Sequence, residues 1–71
     1  MQEEKILQKV GARIKELRLA KGLSQNELAT KCTFEKASMS RIESGKTNVT
    51  LLTLNKIGKA LDIEFVEFFK S

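Results

Sequence analysis

Four side chains near the middle of the chain, Lys36, Ala37, Ser40 and Arg41, have types and spacing suited to meeting a polyanion. They lie in and around the run FEKASMSR, Phe34 to Arg41. On a helical wheel advancing ~100° per residue, Met39 and Ile42 fall about 60° apart and define a buried side. Ala37, Ser40 and Ser44 occupy the opposite side, with Lys36 and Arg41 at its margins. Small residues let a backbone approach a partner closely, and flanking cations suit a negatively charged groove. An ordinary solvent face would carry more of the good surface helix formers, which are scarce here.

The rest of the chain must position that face. Its 71 residues fit one domain, 1–71, near the lower size limit for a fold held by a single apolar core. One cysteine excludes an intramolecular disulfide, and the lack of histidine removes the commonest metal ligand and general base. No apolar run approaches the 18 or so residues of a membrane span, and the first residues, MQEEKILQKV, lack the order of a signal peptide. These features predict a cytoplasmic protein without a membrane segment. The 13 basic and 9 acidic side chains give a net charge of +4. The excess is concentrated early, with six basic and three acidic groups in residues 1–21. That imbalance points weakly toward a polyanion.

The periodicity is helical throughout, which predicts an all-α, compact five-helix domain. A first helix runs from about Glu4 to Lys21, with Ile6, Val10, Ile14 and Leu17 on its inner face and Gly22 ending it. Ser24 and Glu27 have the spacing of a capping box, and Leu23 with Leu28 that of a hydrophobic staple. A short second helix therefore starts at Gln25, with Leu28, Ala29 and Cys32 inside. The third helix covers about 35–44. Thr50 caps a fourth, whose core stripe is Leu51, Leu54, Ile57 and Leu61, with Val49 and Leu54 as a second staple. In a last short helix, Phe65, Phe68 and Phe69 close the bottom of the core.

Two short helices joined by a tight turn, the second with an outward polar face, follow the helix-turn-helix plan. The residues themselves resemble the Xre/lambda-repressor-like helix-turn-helix family, which includes small phage repressors, restriction–modification controller proteins and some antitoxins. The resemblance rests on LSQNELATKC, then ASMSRIESGKTN, then LLTLNKIGKALDI, and spans about residues 6–69. Ser-Gln-x-Glu-Leu-Ala is followed by Ile-Glu-x-Gly eighteen positions after the serine, then by Leu-x-Lys-Ile-x-Lys-Ala-Leu. Three such motifs in order are specific.

The resemblance implies roles at matching positions. Lys36, Ala37, Ser40 and Arg41 match positions that meet base edges, the same four picked by the wheel. Arg41 has the donors to fork onto a guanine, and Ala37 the methyl to touch that of a thymine. Gln25, at the start of the second helix, matches a phosphate-binding amide. Ser44, Lys46, Thr47 and Asn48 fall where phosphate contacts are expected. Arg18 and Glu43 match a structural ion pair tying the first helix to the third.

The chain also departs from the family pattern. Thr33 stands where the turn usually has glycine, and a β-branched residue resists positive φ. The turn either has another shape or carries strain. Glu35 opens the third helix with a negative charge that repels phosphate; it could instead accept from a cytosine amino group or favour the helix N-terminus. Val49 stands where proline is frequent. Cys32 reads as a buried filler, and Asn48-Val49-Thr50 as a chance glycosylation triplet.

The sequence thus suggests a transcriptional regulator binding double-stranded DNA as a homodimer. No metal, cofactor or small-molecule ligand is expected, and no nucleophile–base pair can be assembled for catalysis. An antitoxin with a second protein partner, or an interaction module on the same scaffold, are the competing readings. Recognition helices of this kind work in symmetric pairs roughly 34 Å apart on a near-palindrome. Leu19, Leu52 and Val66 are unclaimed by the core. Leu52 and Val66 are the expected dimer contacts, and Leu19 reads as a stray exposed leucine.

Overall fold

The computed structural model describes residues 2–70. Helix α1 runs Gln2–Ala20, α2 Gln25–Lys31, α3 Lys36–Glu43 and α4 Leu51–Leu61; a 3₁₀ segment, Phe65–Phe69, follows. None of the described helices is long and apolar enough to cross a membrane.

The sequence signals for helix starts are realised in detail. Ser24 Oγ accepts from the Glu27 amide at 3.0 Å, while the Glu27 carboxylate accepts from the Ser24 amide at 2.7 Å. This box fixes the first turn of α2. Those two Ser24 groups, the backbone amide first, hold the Glu27 carboxyl below its ordinary range, aided by the Lys31 charge. Thr50 Oγ1 accepts from the Thr53 amide at 3.1 Å and opens α4. Glu35 is the N-cap of α3 but its side chain makes no capping hydrogen bond. The expected span of 35–44 is therefore α3 together with its two caps.

The core comprises Ile14, Leu28, Ala29, Cys32, Met39, Ile42, Leu54, Ile57, Leu61 and Phe68. Val10, Leu17, Leu23, Phe34, Val49, Ala60, Ile63 and Phe65 pack against it. Both leucine and valine staples are thus in place. Three expected core residues are not. Ile6 is 58% exposed, at the edge of a hollow that Val10, Phe68 and Phe69 also line. Leu51 is 69% exposed: it is the first residue of α4 and lies at the edge of the stripe.

Phe69 is 56% exposed, and here the reason is the fifth element. It is a 3₁₀ turn, not the expected α-helix. Asp62 ends α4 at φ 57°, and the regular segment that follows covers five residues. With three residues per turn, Phe65 and Phe68 fall in line and Val66 and Phe69 about 120° away, although the Phe69 ring still meets that of Phe65 edge to face at 5.4 Å. Phe68 is buried, and the rings of Phe65 and Phe68 meet edge to face at 6.2 Å. Arg13 fastens this segment to α1 by donating from Nε to the Glu67 carbonyl at 2.8 Å.

Gly11 sets how closely α1 can lie on α3. A Cβ there would stand 2.5 Å from the Ile42 carbonyl oxygen and 2.6 Å from that of Glu43. Any side chain would push the helices apart.

Candidate nucleic-acid interface

The structure sorts α3 into the two sides that the wheel describes. Met39, Ile42 and Glu43 are buried; Lys36, Ala37, Ser40 and Arg41 are all exposed. Ser38 is half-buried, and its Oγ lies 3.5 Å from Arg41 Nη2, at the outer limit of a hydrogen bond. Among the described residues Arg41 forms no ion pair, so most of its donors stay available.

Behind this face is a buried polar lock. Arg18 and Glu43 are 6% and 7% exposed. Arg18 Nε donates to Glu43 Oε2 at 2.7 Å and Nη2 to Oε1 at 3.1 Å, a two-pronged arrangement. Arg18 Nη1 also donates to the Leu23 carbonyl at 2.7 Å. Gln25 Nε2 completes the set by donating to Glu43 Oε1 at 3.1 Å. One carboxylate at the end of α3 thus gathers the end of α1 and the start of α2. Every buried side-chain nitrogen and oxygen among the described residues has a partner. Removing one member of such a pair leaves an uncompensated buried charge, at a cost of about 3–5 kcal/mol.

Gln25 has a double position in this network. One N–H of its amide is held by Glu43, and the second is free to donate elsewhere. It sits at the first residue of α2, where backbone amides also point outward.

The exit from α3 carries the other expected polar residues. Lys46 and Asn48 are exposed and Thr47 is half-buried. Ser38, Arg41, Thr47, Asn48, Val49 and Thr53 line a shallow, mostly polar hollow of about 160 Å³ between α3 and the start of α4. Ser44 behaves differently from the others. Its hydroxyl lies 2.9 Å from the Ser40 carbonyl and 3.2 Å from that of Arg41, so its single proton is engaged within the helix.

Thr33 has φ 57°, so the turn keeps the left-handed backbone despite its β-branched residue. Its hydroxyl lies 2.5 Å from the Cys32 carbonyl and 3.1 Å from Lys56 Nζ. The hydroxyl can donate to the first and accept from the second. The Lys56 contact and the close approach at Gly11 are what sequence reasoning missed. A glycine in mid-helix, unfavourable by propensity, was a signal for the second. Lys56 falls within the Leu-x-Lys-Ile motif, but nothing in the motif points toward the turn. Leu52 and Val66 are 83% and 55% exposed. Leu19 is exposed too. Among the described residues no three His, Cys, Asp or Glu side chains gather where they could hold a metal ion.

The helix-turn-helix family profile matches residues 14–68. The control protein C.BamHI of Bacillus amyloliquefaciens is 38% identical over 55 residues, covering 76% of this chain and 68% of that protein. The control protein C.MunI of Mycoplasma sp is 40% identical over 60 residues, covering 83% of this chain and 81% of that one. Among solved structures, the restriction-modification controller protein C.AhdI from Aeromonas hydrophila superposes with a TM-score of 0.91 at 40% identity. That superposition covers 97% of this chain and 100% of the other. With the family motifs in order and the buried Arg18–Glu43 pair behind the outward face of α3, the chain belongs to the Xre/lambda-repressor-like helix-turn-helix family.

Proposed function

We propose that the protein is a sequence-specific transcriptional regulator that binds double-stranded DNA as a homodimer on a near-palindromic operator. A controller of restriction–modification genes is the favoured kind, since the relatives with that role align over most of the chain. The observation that carries the reading is the face of α3. Two cations flank small residues there, all exposed, on a helix whose back is pinned by a buried ion pair.

In this reading α3 enters the major groove. Lys36, Ala37, Ser40 and Arg41 meet base edges, and Gln25, Ser44, Lys46, Thr47 and Asn48 face the sugar–phosphate backbone. Gln25 approaches a phosphate with its geometry already set by Glu43. Ser44 must turn its hydroxyl away from the helix carbonyls to donate. Leu52 and Val66 supply the contact between protomers, away from the reading face.

Selection from a pool of random duplexes, followed by sequencing of the bound fraction, tests the proposal. The expected product is a two-fold symmetric motif. Arg41→Ala should then weaken binding to it by roughly 1–3 kcal/mol and to random DNA only slightly. Recovery of no preferred sequence would remove the proposal. For assembly, Leu52→Glu with Val66→Glu should abolish the dimer in sedimentation at tens of micromolar, and an unchanged dimer would displace the contact.

A further inference from the structure

Lys56 is an exposed lysine on α4 whose side chain crosses to the turn before the recognition helix. Its ammonium donates to Thr33 Oγ1 at 3.1 Å. The same Nζ stands 5.3 Å from the centre of the Phe34 ring, within cation–π range. Thr33 and Phe34 are the middle two of the four residues, Cys32 to Glu35, that link α2 to α3. Thr33 holds the left-handed conformation, and the Phe34 amide donates to the Ala29 carbonyl at 2.8 Å. Phe34 also packs on the core. One cation therefore grips the two central residues of the turn, just before Glu35 and Lys36.

This grip supplies a connection that packing provides only sparsely. Helix α3 packs principally on α1 and α2, whereas α4 packs on α2 and the 3₁₀ segment. The first turn of α3 has no side-chain cap of its own. Without Lys56, the start of the recognition helix is tied to α4 chiefly through α2.

We propose that Lys56 is a positioning residue for sequence discrimination: it clamps Thr33 and Phe34 so that Lys36 and Ala37 leave the turn in a fixed direction relative to α4. The inference rests on the DNA-reading function proposed above. Lys56 contacts neither base nor phosphate in this scheme. Its loss blurs the choice among sequences and leaves the general attraction to DNA in place. An arginine keeps both the donor and the ring contact, so Lys56→Arg should substitute.

Two measurements on the full chain test this. The first compares Lys56→Met, Lys56→Arg and wild type on the selected duplex and on a scrambled one over a salt series. Lys56→Met should shrink the ratio of the two affinities by about tenfold, the effect of one charge-assisted hydrogen bond, with the salt slope unchanged. Lys56→Arg should restore most of the ratio. A uniform loss on both duplexes with a slope lower by about one would make Lys56 a phosphate contact and overturn the proposal. So would an unchanged ratio. The second measurement needs no DNA. Amide exchange at Phe34 and Met39, whose amides donate to the Ala29 and Glu35 carbonyls, should accelerate in Lys56→Met, well below its melting temperature, while exchange at Ile57 in the middle of α4 stays as in wild type. Unaltered exchange at the turn overturns the clamp even if wild type selects no sequence, so failure of the clamp and failure of the DNA reading give different results.

Discussion

Thr33 precedes the recognition helix and Gly45 follows it, and both hold the left-handed conformation, with φ 57° and 73°. Each is followed by the same long-reach hydrogen bond. The Phe34 amide reaches the Ala29 carbonyl at 2.8 Å, and the Lys46 amide reaches the Arg41 carbonyl at 2.9 Å. This is the Schellman pattern at both places. The materials differ. A Cβ on Gly45 would lie 2.7 Å from the backbone N and Cα of Gln8, so α1 occupies the space a side chain needs. At Thr33 a branched side chain fits, and its hydroxyl is held by the Cys32 carbonyl and Lys56. The exit of the helix is fixed by backbone against backbone. The entrance is fixed by side chains.

The contrast can be broken most forcefully at the exit. Gly45→Ala combines a left-handed alanine with a clash that only movement of α1 relieves, and should cost about 2–5 kcal/mol. Thermal melting should fall by 10 °C or more, on the order expected for a domain this small. A change of a degree or two would show that α1 yields easily. Gly22→Ala is the control, since Gly22 shares the left-handed φ of 72° but nothing lies within 4 Å of its Cβ position. Its cost should be backbone strain alone, about 1 kcal/mol. If chemical denaturation ranks the two glycines equally, close approach is not what distinguishes the exit.

The entrance should respond in both directions. Thr33→Ala keeps the strain and removes the hydroxyl, for a loss of about 1 kcal/mol. Thr33→Gly relieves about 1 kcal/mol of strain but loses the same hydroxyl bonds and loosens the unfolded chain less favourably. The two effects should nearly cancel, within roughly 0.5 kcal/mol. A large gain on Thr33→Gly would mean that the Lys56 contact contributes nothing. The smallest expected effect concerns acid. The folded-state pKa of Glu27 is lowered, so its stabilising contribution is complete above the ordinary carboxylate pKa and fades as pH falls through the lowered value. Glu27→Gln should flatten that part of the acid limb in a pH series of melting curves; an identical limb would remove the assignment.

Local signals account for what the sequence revealed. The Ser24–Glu27 box, the Thr50 cap and the two-sided pattern of α3 depend on residues within one turn of each other, and each is found where spacing puts it. The Arg18–Glu43 pair spans 25 positions and was legible only through family resemblance. Relations between elements were not legible. Gly11 and Gly45 matter because another helix backbone passes within ångströms, which no wheel reports. Ile6 and Leu51 fit their stripes but sit at helix ends, beyond the reach of the core. The 3₁₀ geometry of residues 65–69, after the left-handed Asp62, left no mark in the spacing of the phenylalanines.

Cys32, the chain's one cysteine, has no exposed surface, and burial raises its thiol pKa despite the Lys56 charge nearby. A thiol in that state is shielded both from reagent and from ionisation. It therefore works as a built-in clock for the fold. Alkylation under native conditions requires openings that expose the end of α2, and the labelling rate counts them. Because the residue directly precedes Thr33, the clock stands at the hinge of the helix-turn-helix itself, and needs no introduced probe.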